Sequence, residues 1–125
     1  MKIRVNSIKN ERVSFTTEYG KGKGIWKSNN KPLEKEYFVE FDIIDKYRYE
    51  DISISCDKWC QMECEENRMR LTMLLLQYDE QGCASFRLGD SIVELETYYD
   101  ERFLALVNSY LDICTENLYL YDELE

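Results

Sequence analysis

Residues 69–99 read MRLTMLLLQYDEQGCASFRLGDSIVELETYY, and the rest of the chain is organised around them. Met69, Leu71, Met73 and Leu75 recur at every second position before Asp79-Glu80-Gln81-Gly82 breaks the run. Ala84, Phe86 and Leu88 take up the same period, Gly89-Asp90 breaks it again, and Val93 and Leu95 then alternate with Glu94 and Glu96. A period of two places alternate side chains on one face of a strand, and short polar, glycine-bearing breaks are turns. The stretch is therefore expected to form three antiparallel strands with one face in a core.

The same pattern extends on both sides. Residues 2–8 and 12–19 read as a hairpin, with Ile3 and Val5 in phase with Val13 and Phe15. Residues 35–44 form the clearest single strand, with Tyr37, Val39, Phe41 and Ile43 on one face and Glu36, Glu40 and Asp42 on the other. Residues 52–56 and 60–65 read as further strands. Between them, Gly20-Lys21-Gly22-Lys23-Gly24 has glycine at alternate positions and is expected to be a mobile tip, followed by the polar loop Ser28–Pro32. At the C-terminal end Asp100 is a candidate cap for a short helical turn over 101–107. Leu111 with Ile113, and Leu118 with Leu120, then favour two more strands. The fold class is all-β with at most one short helix, an antiparallel meander closing into a small barrel or strongly bent sheet of roughly seven to nine strands. Five-stranded oligonucleotide-binding-type barrels and sandwiches both fit. The 125 residues carry no internal repeat or linker, so one domain spanning 1–125 is expected.

Charge narrows the partners. The chain has 16 Lys+Arg against 25 Asp+Glu, a formal net charge of −9. Residues 1–49 carry a net +4 and residues 50–125 a net −13. A field of that sign repels phosphate backbones and draws in basic partners, so nucleic acid is disfavoured overall. No apolar run approaches the ~20 residues that span a bilayer. The N-terminus lacks the apolar core of a secretory signal, so a cytoplasmic protein without membrane association is expected. Five cysteines, an odd number, exclude a complete internal disulfide set and fit a reducing compartment.

The sequence contains no histidine, which removes Ser-His-Asp and Cys-His nucleophile pairs and the commonest zinc ligand. Cys56, Cys60 and Cys64 are spaced C-x3-C-x3-C, wider than the short knuckle that zinc sites use, and read as structural thiols. No enzyme activity, cofactor or metal is expected. Two constellations remain. Tyr98-Tyr99-Asp100-Glu101 and Tyr121-Asp122-Glu123 combine rigid aromatic area with carboxylates, the pairing that anchors a basic protein. Lys21, Lys23 and Lys27 around Trp26 form the alternative, a basic patch with an aromatic ring of the sort used on single-stranded nucleic acid.

In size, acidity and lack of catalytic residues the chain resembles small bacterial immunity proteins, which neutralise nuclease toxins. That resemblance, one of general character over the whole chain, implies a tight one-to-one complex with a basic toxin domain and occlusion of the toxin's substrate groove. It assigns charge to Asp100, Glu101, Asp122 and Glu123, and anchoring to Tyr98, Tyr99 and Tyr121. The alternative expectation is an oligonucleotide-binding-type barrel working through the lysine-rich loop at Trp26.

Overall fold

The computed structural model describes residues 1–124. In chain order the strands are β1 (Lys2–Lys9), β2 (Arg12–Thr17), β3 (Gly20–Trp26), β4 (Glu36–Ile43), β5 (Lys46–Tyr47) and β6 (Ser53–Ile54). They continue as β7 (Gln61–Glu65), β8 (Arg68–Tyr78), β9 (Cys83–Leu88), β10 (Ser91–Thr97), β11 (Tyr110–Thr115) and β12 (Leu118–Asp122). Helical structure among the described residues is limited to two 3-10 turns, Tyr49–Asp51 and Glu101–Leu106. The chain is all-β, as its alternation requires.

Five strands close a barrel. β1, β2 and β3 form an antiparallel meander, and β4 pairs with the other edge of β1. β12 then fits between β4 and β3, antiparallel to the first and parallel to the second, so the ring runs β1-β2-β3-β12-β4. This is a barrel of the five-stranded kind, a fold that does not decide function. From the barrel the sheet continues through a single bridge, Gly20 to Met62, into β7 and then β8, β9, β10 and β5. β8 is the spine of this second half. Its first part lies between β7 and β11 and its last part pairs with β9. Coverage on both sides explains why Met69, Leu71, Met73 and Leu75 are all buried. It also buries Thr72, whose hydroxyl donates to Asp112 at 2.6 Å and is thereby satisfied.

Twelve strands among the described residues exceed the expected seven to nine, and two of the reasons are local. β5 is only two residues long, below what alternation can reveal. The glycine-rich stretch is not a mobile tip but a barrel strand, β3, paired with β2 along its whole length. Its glycines point inward and its lysines outward. A side chain at Gly24 would run into Leu120 and come within 2.8 Å of the Leu118 carbonyl, so glycine is what lets β3 and β12 approach and close the ring. The expected strand at 52–56 shrinks to Ser53–Ile54, which pair with Asp112 and Leu111 on β11, and the Ser55 amide makes the last bond to that strand, to the Tyr110 carbonyl at 2.9 Å. The capped turn at 101 is a 3-10 turn that buries Phe103 against Tyr49 and Tyr78, with ring centroids 5.2 and 4.9 Å apart. Burial of an aromatic side chain of this size stabilises the fold by roughly 1.5–3 kcal/mol.

Candidate functional site

The sheet curls until β10 lies beside β4, and the two strands touch without sharing a hydrogen-bond ladder. Both have the alternation of half-buried strands. β4 buries Tyr37, Val39, Phe41 and Ile43, and β10 buries Val93, Leu95 and Thr97. Their remaining side chains therefore face outward, with Phe38, Glu40 and Asp42 on β4 and Ile92, Glu94 and Glu96 on β10. Between them runs a groove in two connected parts, of about 730 and 560 Å³, which share Asp42 and Glu94.

The lining is acidic with apolar flanks. Glu40, Asp42, Asp90, Glu94 and Glu96 line it, and none makes an ion pair among the described residues. Lys46, in the smaller part, is the one basic side chain in either lining, and the Met1 ammonium in the larger part pairs with Glu123 at 3.7 Å. Phe38 at 51% and Ile92 at 56% exposure stand on opposite walls, leaving apolar surface uncovered beside the charge. Uncompensated carboxylates converging on one groove repel each other and are relieved by a cation or a basic side chain. Cys83 lines the groove, but burial and then the carboxylates of Glu94, Asp79 and Glu96 push its thiol up, away from the reactive thiolate.

The structure splits the residues singled out from sequence. Tyr121 and Glu123 line the wide end of the groove. Tyr98 stands by the narrow end, with the Lys46 ammonium 4.4 Å and the Arg48 guanidinium 4.7 Å from its ring centre. Tyr99 is exposed and stacks on Tyr78 at 5.6 Å, and Glu101 is exposed beside it.

Three of the expected partner carboxylates are already used, Glu123 by the Met1 ammonium at 3.7 Å. Asp122 accepts from Asn30 Nδ2 at 2.9 Å and from the Leu124 amide at 3.0 Å, which ties the 28–30 loop to β12. Asp100 caps the 3-10 turn by accepting from the Arg102 amide at 3.0 Å, and grips the Arg102 guanidinium at 2.7 and 3.0 Å. The same guanidinium reaches Glu50 at 3.0 Å and lies 4.0 Å from the Tyr49 ring centre.

These bonds have a pH signature. The Arg102 side chain, and next its backbone N–H, hold the Asp100 carboxyl down at about 2, against an ordinary 3.8. A depressed carboxyl contributes stability that is present above the unfolded value near 3.8 and is lost as pH falls through about 2. An NMR titration is expected to give Asp100 a midpoint near 2. A midpoint near 4 would mean that the grip on Arg102 is not made in solution.

The basic alternative loses its aromatic platform. Trp26 is 4% exposed, its ring packs edge-on to Tyr37 at 4.8 Å, and its indole N–H donates to the Asn30 carbonyl at 2.9 Å. It ends β3 in phase with the inward glycines, which is why it turns into the barrel. Lys27 lies over Tyr119, 4.8 Å from the ring centre, while Lys21 and Lys23 project outward from β3. Cys60 accepts from the Gly89 amide at 3.3 Å and Cys64 lies 3.5 Å from the Glu66 carbonyl, whereas Cys56 is exposed. No group of three or more potential ligands capable of holding a metal occurs among the described residues. Nor is any helix there long and apolar enough to cross a membrane.

Sequence reasoning missed the groove's own acids. Glu40, Asp42, Glu94 and Glu96 read as ordinary solvated faces of two separate strands. Only the curl of the sheet joins them, and no local signal carries that. Comparison of the chain with protein families, curated proteins and solved structures finds no match.

Proposed function

We propose that the chain is a non-catalytic protein-binding module, an immunity-type inhibitor that occupies a basic, nuclease-type toxin domain in a one-to-one complex. The observation that carries this reading is the groove between β4 and β10, in whose lining Glu40, Asp42, Asp90, Glu94 and Glu96 make no ion pair among the described residues. Long-range attraction between that field and a basic surface raises the rate of encounter, and charge pairs desolvated in the groove then hold the complex. Phe38, Ile92 and Tyr121 supply adjoining contact area. A toxin surface built to hold phosphates has the complementary charge, so covering it blocks the substrate.

The test is a pull-down with the tagged protein from a lysate of its own cells, eluted with rising salt. A parallel column carries the Glu40→Gln/Asp42→Asn/Glu94→Gln variant. A basic protein held by the wild type, released by salt and missing from the variant is the expected result. Retention that ignores the three substitutions counts against the groove.

A second reading rests on a different observation. The outward positions of the barrel meander are basic, with Arg4 on β1, Arg12 on β2, and Lys21 and Lys23 on β3. A five-stranded barrel with a basic face suits an oligonucleotide. Buried Trp26 works against it, because the indole among these lysines is not free to stack on a base. Nucleic acid on the same column, released by Lys21→Ala/Lys23→Ala, would favour this reading over the first.

A further inference from the structure

The outer face of the barrel meander carries a pocket that shares no lining residue with the acidic groove. A bulge in β1 builds it. Val5 stands against Phe15 on β2 but Ser7 against Ser14, so Asn6 is an extra residue and the phase of β1 changes there. Before the bulge Lys2 and Arg4 face outward. After it Ser7 and Lys9 do, directly opposite Ser14 and Arg12 on β2. Lys23 on β3 stands next to Ser14 and completes that row. Three cationic side chains from three adjacent strands therefore share one face, and none of them makes an ion pair among the described residues.

The second half of the chain turns this face into a pocket of about 370 Å³. Asn67 from the β7–β8 turn, with Thr115 and Glu116 from the end of β11, forms the far wall. Val13, Gly24, Met69 and Leu118 also line the pocket and are buried, so its floor is apolar and its rim basic. Glu116 is the one carboxylate in the lining. The main chain adds a donor. β3 is bridged to β7 at Gly20 and to β12 at Ile25 and Trp26, and between these points its outer edge meets no strand among the described residues. The Lys23 amide points into that gap and donates to the Met69 thioether sulfur at 3.3 Å, a weak acceptor for a backbone N–H. A backbone donor without an oxygen acceptor, three cations without counter-ions and an apolar floor suit a ligand that is anionic at one end and apolar at the other. We propose that this pocket binds a small phosphate monoester, with its phosphoryl group held by Lys9, Arg12 and Lys23 and its apolar body on Met69 and Leu118. The volume lies within the range of small-molecule sites, and Lys and Arg make charge-assisted bonds to phosphoryl oxygens. The site stands independently of the acidic groove.

The probes are AMP, adenosine and inorganic phosphate, each titrated into the 15N-labelled full chain at low salt. AMP is expected to shift the amides of Lys9, Arg12 and Lys23, to leave those of Glu40 and Glu94 in place, and to bind at least about tenfold more tightly than adenosine or inorganic phosphate. Lys9→Gln/Arg12→Gln is expected to weaken AMP by at least about tenfold, because charge-assisted bonds to the phosphate are lost. Glu116→Gln removes the opposing carboxylate and is expected to tighten AMP a few-fold, a gain that a damaged fold does not produce. Inorganic phosphate binding as tightly as AMP would reduce the pocket to an adventitious ion only and overturn the proposal. Shifts by AMP that survive the double substitution, or no shift at all, would overturn it as well. A single-stranded oligonucleotide that shifts Arg4 and Lys21 along with these residues, where AMP shifts none, would overturn it in favour of the oligonucleotide reading.

Discussion

Gly20→Ala is expected to lower the unfolding free energy by at least about 3 kcal/mol, the scale of a residue forced into glycine-only backbone together with a steric clash. Gly20 has a φ of +136°, where an L side chain is strained whatever the space around it. Space is lacking as well. A Cβ at this position would collide with the carbonyl oxygen of Met62. Gly20 and Met62 form the single bridge between β3 and β7, and the Met62 amide donates to Tyr19 at 2.9 Å beside it. The substitution therefore acts on the joint between barrel and second half, and Met62, almost wholly buried, must move to relieve it. Urea denaturation followed by tryptophan fluorescence is the measurement. With a slope of about 1–3 kcal/mol per molar for a small protein, the midpoint should fall by 1 M or more. An unchanged midpoint would mean that the β3–β7 joint contributes nothing to the cooperative fold.

The second large effect is on binding. Replacing Glu40, Asp42 and Glu94 by their amides is expected to weaken the complex with the proposed basic partner at least about 100-fold. Close charge pairs at protein interfaces couple by roughly 1.5–7 kcal/mol, so the loss of even two weak pairs reaches that figure. The association rate and its salt dependence should fall together, because the field that steers encounter is weakened. A matched variant, Glu11→Gln/Glu18→Gln/Glu116→Gln, removes the same charge from residues outside both groove linings. It is expected to bind within a few-fold of wild type. Equal losses in the two variants would assign the effect to net charge and not to the groove.

Strand alternation carried most of the fold. The three strands of 69–99, the inward face of Tyr37, Val39, Phe41 and Ile43, and the closing pair Leu118 and Leu120 all stand where period-two burial puts them. The glycine stretch failed for a physical reason. Glycine is read as freedom when isolated, yet at Gly24 the missing side chain is what allows β12 to approach. The lysines between those glycines carried the right signal, since polar residues alternating with small ones is still a strand pattern. Site residues were less legible. Asp100 and Asp122 looked available as carboxylates next to tyrosine, but a carboxylate beside a turn is commonly taken by local amides, and both are. Trp26 looked exposed among lysines, and its phase with Gly22 and Gly24 was the evidence that it points inward. Glu40, Asp42, Glu94 and Glu96 needed the tertiary curl, which depends on how twelve strands pair and not on any one of them.

The most direct test of the groove is amide hydrogen exchange on the chain alone and in complex with the proposed basic partner, as retained in the pull-down. Open strand edges exchange quickly until something covers them. The expected result is slowed exchange over residues 38–44 and 91–96 on complex formation, with 26–32 around Trp26 unchanged. Protection confined to the Trp26 loop and the lysines of β3, with the β4–β10 groove still exchanging freely, would contradict the acidic-groove mechanism.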